Sequence, residues 1–246
     1  MALSSNSIIH LTEEKESLIG ILSDNFRIKY CKEQIKSPIG SIKAAVPMVS
    51  FCDIPLSQIK DHIEKYGKYG IGLTKEWAKR KRLNPILYID DNSIIGEEFY
   101  KTFLKYIESK PQFVDVMLMD DRFYLDIIRY MKNYDGMLTR KGVTKYYRFS
   151  DEREWRYVPE HSHEFDPMLG FKYYNTEEQK NAENAKLKDL RLEFEPNDIS
   201  YIFIKNDSEI TDFVDLLSKV KRKYNYDDVN RLMTRIITTE QIFNDF

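Results

Sequence analysis

Three short segments bring together side chains able to do chemistry. His10-Leu11-Thr12 closes an apolar stretch at the amino end. Neutral imidazole both donates and accepts a hydrogen bond, so His10 suits recognition of a ribose hydroxyl or an amide; a histidine at a strand end also serves as a structural hydrogen-bonding residue. Val49-Ser50-Phe51-Cys52-Asp53-Ile54-Pro55 sets a hydroxyl beside an aromatic ring. Successive strand residues point to opposite faces, so only one of Ser50 and Phe51 can line a given site. In Asp151-Glu152-Arg153-Glu154-Trp155-Arg156-Tyr157, strand alternation puts Glu152, Glu154 and Arg156 on one face and Arg153, Trp155 and Tyr157 on the other. That is the pattern of a solvated charged face, and equally of a buried active carboxylate beside an aromatic wall. His161-Ser162-His163 has metal-ligand spacing, but no third firm ligand follows, and no metal is expected. Cys52 reads as a small buried hydrophobe, Asp53 as a turn acceptor and His62 as a surface residue on a helix.

The elements that must position these residues alternate irregularly. Strands are expected over 7–11, 26–30, 48–54, 69–73, 85–89, 152–158, 190–194 and 200–204. Helices are expected over 14–24, from Leu56 to an end at Gly67, from Thr74, across much of 93–134 with a break between Pro111 and Asp120-Asp121, and over 211–220. Residues 25–47, with Pro38, Gly40 and Pro47 among lysines, read as largely irregular. Residues 160–190 lack apolar periodicity and read as a surface insertion or loop. Strict βαβ alternation is absent, so the expected class is α+β, with a mixed or antiparallel sheet and surrounding helices. The expected organisation is one domain over 1–220 and a helical tail over 221–246.

The 246 residues are 42% hydrophobic and 32% charged, with a net charge of −2, the composition of a globular protein without the excess positive charge of a bulk nucleic-acid binder. Lys79-Arg80-Lys81-Arg82 and Lys219-Val220-Lys221-Arg222-Lys223 could touch phosphates, or form solvated helix faces. Neither a membrane-length apolar run nor a secretory leader is visible, and phosphate-binding glycine loops are missing, so a cytoplasmic location with Cys31 and Cys52 as thiols is expected.

Pro47-Met48-Val49-Ser50-Phe51-Cys52-Asp53-Ile54-Pro55, Tyr66-Gly67-Lys68-Tyr69-Gly70-Ile71-Gly72-Leu73 with Glu76-Trp77, Asn84-Pro85-Ile86-Leu87-Tyr88-Ile89 and the later Asp151-to-Pro159 run resemble the AbiGi family. That family is the antitoxin side of a two-gene abortive-infection system against phage. The resemblance covers residues 8–160 and extends toward 215. A second resemblance, to ADP-ribosyltransferase-like folds, rests on His10 with Thr12, then Ser50-Phe51, then Glu154 or Glu152, in that order. It departs from the pattern where many such enzymes stack nicotinamide on a tyrosine; Phe51 stands there instead.

This second resemblance implies NAD as a substrate. Glu154 would hold the ribose 2′-hydroxyl and offset the positive charge of an oxocarbenium-like transition state, as carboxylates do in glycoside hydrolysis. His10, supported by Thr12, would hold the adenine-side ribose. Ser50 would join them, and Phe51 or Trp155 would stack on a flat ring. Together the resemblances imply a phage-defence protein that transfers ADP-ribose to a macromolecule, or a non-enzymatic antitoxin that binds a protein toxin. A nucleic-acid-binding regulator is a third reading.

Overall fold

A computed structural model describes residues 5–109, 122–140 and 142–245. They form two compact units. One gathers 5–28, 49–84 and 189–245; the other gathers 29–48 and the described residues of 85–188. The class is mixed α+β with mostly antiparallel pairing.

In the first unit, Ser7–Thr12 lies between Tyr69–Thr74, with which it pairs antiparallel from Ser7↔Thr74 to Thr12↔Tyr69, and the end of the strand Gly40–Cys52, which it meets at Ile9↔Cys52. Ile8 and Ile9 are both buried, so this strand is covered on both faces and shows no clean alternation. Ile199–Ile204 pairs antiparallel with Tyr69–Thr74 and parallel with Ile236–Thr238. The helices Lys15–Asp24 and Ile210–Val220 bury Leu18 and Leu22, and Phe213 and Leu217. Thr74 caps Lys75–Arg80 by accepting from the Trp77 backbone N–H at 3.2 Å, while the buried Trp77 indole donates to the Glu193 carbonyl at 3.0 Å. Asp53 accepts from the Ser5 backbone N–H at 3.0 Å and from Lys75 at 2.6 Å, which fixes the turn after Cys52. Gly67 ends the helix Lys60–Tyr66 at φ 123°. A side chain there would also run into the Thr12 carbonyl oxygen, so only glycine fits.

Two expectations for this unit are corrected. Residues 221–246 are not an outlying helical tail: Ile236–Thr238 extends the sheet, and Ile242 of the helix Thr239–Asp245 packs in a core with Ile9, Ile54, Ile59, Ile63 and Phe203. The β-branched run Ile236-Ile237-Thr238 interrupts the helical pattern because it fits a half-buried pleat. His62 is not a surface residue. It is buried on the inner side of its helix beside Ile63 and stacks on Tyr66 with ring centroids 6.0 Å apart.

The second unit is built on a long hairpin, Lys29–Ser37 against the first part of Gly40–Cys52, paired from Lys29↔Met48 to Ser37↔Gly40 across a two-residue turn. Residues 25–47 are therefore largely β and not irregular. Ala44, Ala45 and Val46 are all buried, so both faces are covered and alternation disappears; Leu169–Gly170 pairs with Ala45 and Ala44 from the other side. Pro47, which has no N–H, sits in the ladder opposite Tyr30. Leu87–Ile89 and Met131–Asn133 form a parallel pair, so the end of the expected helical region is a strand. The expected break at Pro111 and Asp120-Asp121 lies outside the described residues. Ile35, Ile42, Val46, Leu125, Ile128 and Met131 form the centre of the core.

Residues 160–190 also depart from a surface loop. Phe165, Met168, Leu169, Tyr174 and Leu187 are buried one by one. The Tyr174 hydroxyl donates to the Tyr30 carbonyl at 2.9 Å, and Asn184 both accepts from the Tyr30 N–H and donates to the Tyr174 hydroxyl, each at 2.9 Å. Anchors spaced this irregularly leave no period to read. The helix Glu177–Lys186 begins with a capping box between Thr176 and Gln179. Thr176→Ala removes the acceptor for the Gln179 N–H and should cost about 1 kcal/mol in a urea titration with an unchanged m-value. A change below about 0.3 kcal/mol would mean the cap contributes nothing to global stability.

Candidate functional site

The sequence-flagged residues fall into two groups, one in each unit. In the first unit, the His10 Nδ1 lies 2.9 Å from the Ser50 carbonyl oxygen. A carbonyl only accepts, so Nδ1 carries the proton. The imidazole packs edge-on against Phe26 at 5.3 Å and tilted against Phe51 at 5.7 Å. Phe51 is buried and makes edge contacts with Phe26 at 5.2 Å and Trp77 at 5.6 Å. Burial lowers the His10 pKa by disfavouring the imidazolium, against the opposing pull of the Ser50 carbonyl. Thr12 is half-buried, with its backbone opposite Tyr69. His10, the Ser50 carbonyl and Phe51 thus lie together within an aromatic core.

In the second unit, Glu152 and Glu154 converge on one cation. Lys132 Nζ is 3.2 Å from Glu152 Oε2 and 2.9 Å from Glu154 Oε2. The other Glu154 oxygen accepts from Arg156 Nε at 2.9 Å, and the Arg156 Nη2 donates to Glu33 at 3.0 Å. Arg156, which is 0% exposed, also donates through Nη1 to the Arg129 carbonyl at 2.7 Å. The Tyr88 hydroxyl accepts from the Glu154 backbone N–H at 2.9 Å. Lys132 lies over the Phe149 ring, 5.1 Å from its centroid.

The local backbone explains how two glutamates two residues apart reach the same lysine. Glu152 lies in a short 3-10 turn, Phe149–Glu152, and the strand begins only at Glu154. Between them Arg153 adopts a left-handed conformation, φ 44° and ψ 52°. Simple strand alternation over 152–156 is therefore broken, yet the resulting kink aims both carboxylates at Lys132. Trp155 is half-buried on the next position of the strand.

The charges are set by this packing. Burial disfavours the ionised form of Glu33 and raises its pKa, only partly opposed by Arg156 and Lys132. Burial also works against charged Lys132 and Arg156, but Glu154 and Glu33 outweigh it and hold both pKa values above the ordinary range. Each oxygen of Glu154 therefore already faces a cation. A carboxylate that offsets developing charge on ribose must bring negative charge that is not already neutralised.

Lys132, Glu33 and Tyr88 complete the network but were not flagged by sequence. Glu33 lies in a stretch without readable alternation, and Lys132 lies between Met131 and Asn133 in a strand taken for helix. His161 is held elsewhere in this unit, with Nε2 2.8 Å from Asp126 and 3.2 Å from Arg129 Nη1. Among the described residues no group of three or more His, Cys, Asp or Glu side chains could hold a metal ion. Cys31 and Cys52 are both thiols, as expected. No helix among the described residues is long and apolar enough to cross a membrane.

The comparisons with known proteins agree with the first resemblance and give the second no support. The profile of a family described as abortive phage resistance protein AbiGi, antitoxin, matches residues 24–205. Abortive phage resistance protein AbiGi of Lactococcus lactis subsp. cremoris is 27% identical over 224 residues, spanning 82% of this chain and 89% of its own length. No solved structure matches the chain. With most of its length under that profile, including the hairpin, the ion network and the strand of Ser50 and Phe51, the chain belongs to the AbiGi family.

Proposed function

We propose that the protein is the antitoxin of an abortive-infection pair, taking part in phage defence by binding a protein toxin and holding it inactive without catalysis of its own. The observation that carries this reading is the commitment of the best catalytic candidates to the fold. Glu154 is bound on one oxygen by Arg156 and on the other by Lys132, and His10 donates to the Ser50 carbonyl inside an aromatic core. Neutralisation by binding needs no reactive group, only a complementary surface. The family description names an antitoxin, and the Lactococcus relative is named for phage resistance.

The test combines purified protein, the toxin encoded by the companion gene and labelled NAD. The expected result is a stable complex and full loss of toxin activity in NAD-free buffer, with no label transferred to the toxin or to cell extract. Neutralisation that requires NAD, or label appearing on the toxin, would replace this reading with ADP-ribose transfer.

A further inference from the structure

The long hairpin of the second unit, Lys29–Ser37 against Gly40–Cys52, turns a lysine-bearing face outward. Its register sets Lys32 opposite Ala45, Gln34 opposite Lys43 and Lys36 opposite Ser41. Residues opposite each other, and residues two apart on a strand, share one face of a sheet. Lys32, Gln34, Lys36, Ser41 and Lys43 therefore lie on the same side, and all but the half-buried Ser41 are exposed. The other side is the core face. It holds Ile35, Ile42, Ala44 and Val46, and the acidic Glu33 on that side is bound to Arg156.

Among the described residues no carboxylate pairs with Lys32, Lys36 or Lys43. Lys43 is diagonal to both Lys32 and Lys36, a spacing of about 7–8 Å. That is within the screening length of about 8–10 Å, so these like charges repel one another in the free protein. A lysine on an edge strand guards against stray strand pairing, but Lys43 stands on the inner strand and does not serve that purpose. Lys32 is oriented by neutral groups, the Asn175 side-chain oxygen at 3.1 Å and the Phe171 ring at 4.9 Å. These leave its charge unneutralised. The face borders the short turn Phe171–Tyr173, which presents Tyr173, 53% exposed, with the Lys172 ammonium 4.7 Å from its ring centroid.

We propose that this lysine face docks a carboxylate-rich surface of the protein toxin. The inference rests on the toxin-binding reading above and names the surface and the partner chemistry. Charge selects the occupant: in a chain of net charge −2, an exposed face with lysines and no acidic residue does not follow from overall composition. Facing carboxylates would relieve the repulsion among the lysines and steer the encounter. Tyr173 at the border adds an aromatic contact of the kind enriched at interfaces. The whole face lies within residues 24–205, the stretch matched by the antitoxin profile, whereas the exposed Lys219, Arg222 and Lys223 lie outside it.

The experiment is surface plasmon resonance of the full chain on the toxin encoded by the companion gene, from about 50 to 500 mM salt. Lys36→Gln with Lys43→Gln should weaken the complex at least about tenfold at the lowest salt, mostly by slowing association, and the gap should narrow as salt rises. Lys36→Arg with Lys43→Arg keeps the charge and should bind within about threefold of the parent. Lys68→Gln with Lys79→Gln, an equal charge change on exposed residues of the other unit, should leave affinity within about twofold. In urea titrations the Lys36 and Lys43 glutamine pair should be no less stable than the parent, because it removes like-charge repulsion. A parental complex that the two glutamine pairs weaken equally, or not at all, would overturn this docking face and leave toxin binding standing. Equal loss in the arginine and glutamine pairs would overturn it as well, since charge would not be what the toxin reads. Tighter binding to a mixed-sequence oligonucleotide than to the toxin, lost in the glutamine pair, would give the face to nucleic acid instead. No complex with the parent at low salt would remove the toxin-binding reading itself, and this face with it.

Discussion

Replacing Arg156 with methionine is expected to destabilise the protein by about 3–5 kcal/mol, because it removes the buried cation shared by Glu154 and Glu33 and leaves Lys132 alone to offset them. Arg156 contacts Glu154, Glu33 and the Arg129 carbonyl, and it is 0% exposed. Methionine fills much of the volume, so the loss is electrostatic more than steric. Its pH dependence separates the two. Without Arg156, the folded-state pKa of Glu33 rises further above its unfolded value. The native state then binds more protons than the unfolded chain between those values, and stability falls as pH rises through that window. The deficit of Arg156→Met relative to the parent should therefore grow from about pH 5 to pH 7, whereas a pure packing defect would be flat. Adding Glu154→Leu should restore part of the loss, since removing both partners of a buried pair is far less costly than removing one. Urea titrations of the parent, single and double variants at both pH values measure all of this. A pH-independent loss under about 1 kcal/mol would show that the network does not depend on Arg156.

The parts of the fold legible in sequence are those with local punctuation. Pro55 closes the strand of Ser50 and Phe51, Gly67 ends a helix at a backbone angle that other residues avoid, and Thr74 caps the next. The paired long strands of 29–52 were hidden because Ala44, Ala45 and Val46 are buried on both faces and Pro47 sits within the ladder. Residues 160–190 were hidden because Tyr174 and Asn184 hold the backbone of Tyr30, a long-range bond that no local pattern encodes. The candidate site divides similarly. Local order placed His10 with Phe51 and picked out Glu152 and Glu154, but their roles depend on Trp77 and Phe26 around one pair and on Lys132, Glu33 and Arg156 around the other. A buried carboxylate looks the same in sequence whether its charge is free or already neutralised; only the distances to cations decide.

Lys221→Met should act in the opposite direction and raise stability at neutral pH by about 2–3 kcal/mol. Lys221 is 4% exposed, its ammonium 4.8 Å from the Phe194 ring centroid, with no carboxylate paired to it among the described residues. Burial, with the neighbouring Lys223 charge, lowers its pKa from 10.5 to about 8. The gap corresponds to about 3 kcal/mol at roughly 1.4 kcal/mol per pH unit, less the attraction of the ring for the cation. The sign follows from proton counting. Between pH 8 and 10.5 the unfolded chain holds the Lys221 proton and the native chain does not, so this residue makes the parent more stable as pH rises across that window. Methionine has a similar length and no charge, so the variant should start higher at pH 7 and lose this contribution to the rise. Other groups also titrate above pH 8, but they are common to both proteins and cancel in the difference. The difference in unfolding free energy, from urea titrations at about pH 7, 8.5 and 10, should therefore shrink steadily toward zero. A difference that stays constant with pH would show that Lys221 reaches water when charged. A variant less stable than the parent at pH 7 would show that its contact with Phe194 outweighs the cost of burying the ammonium.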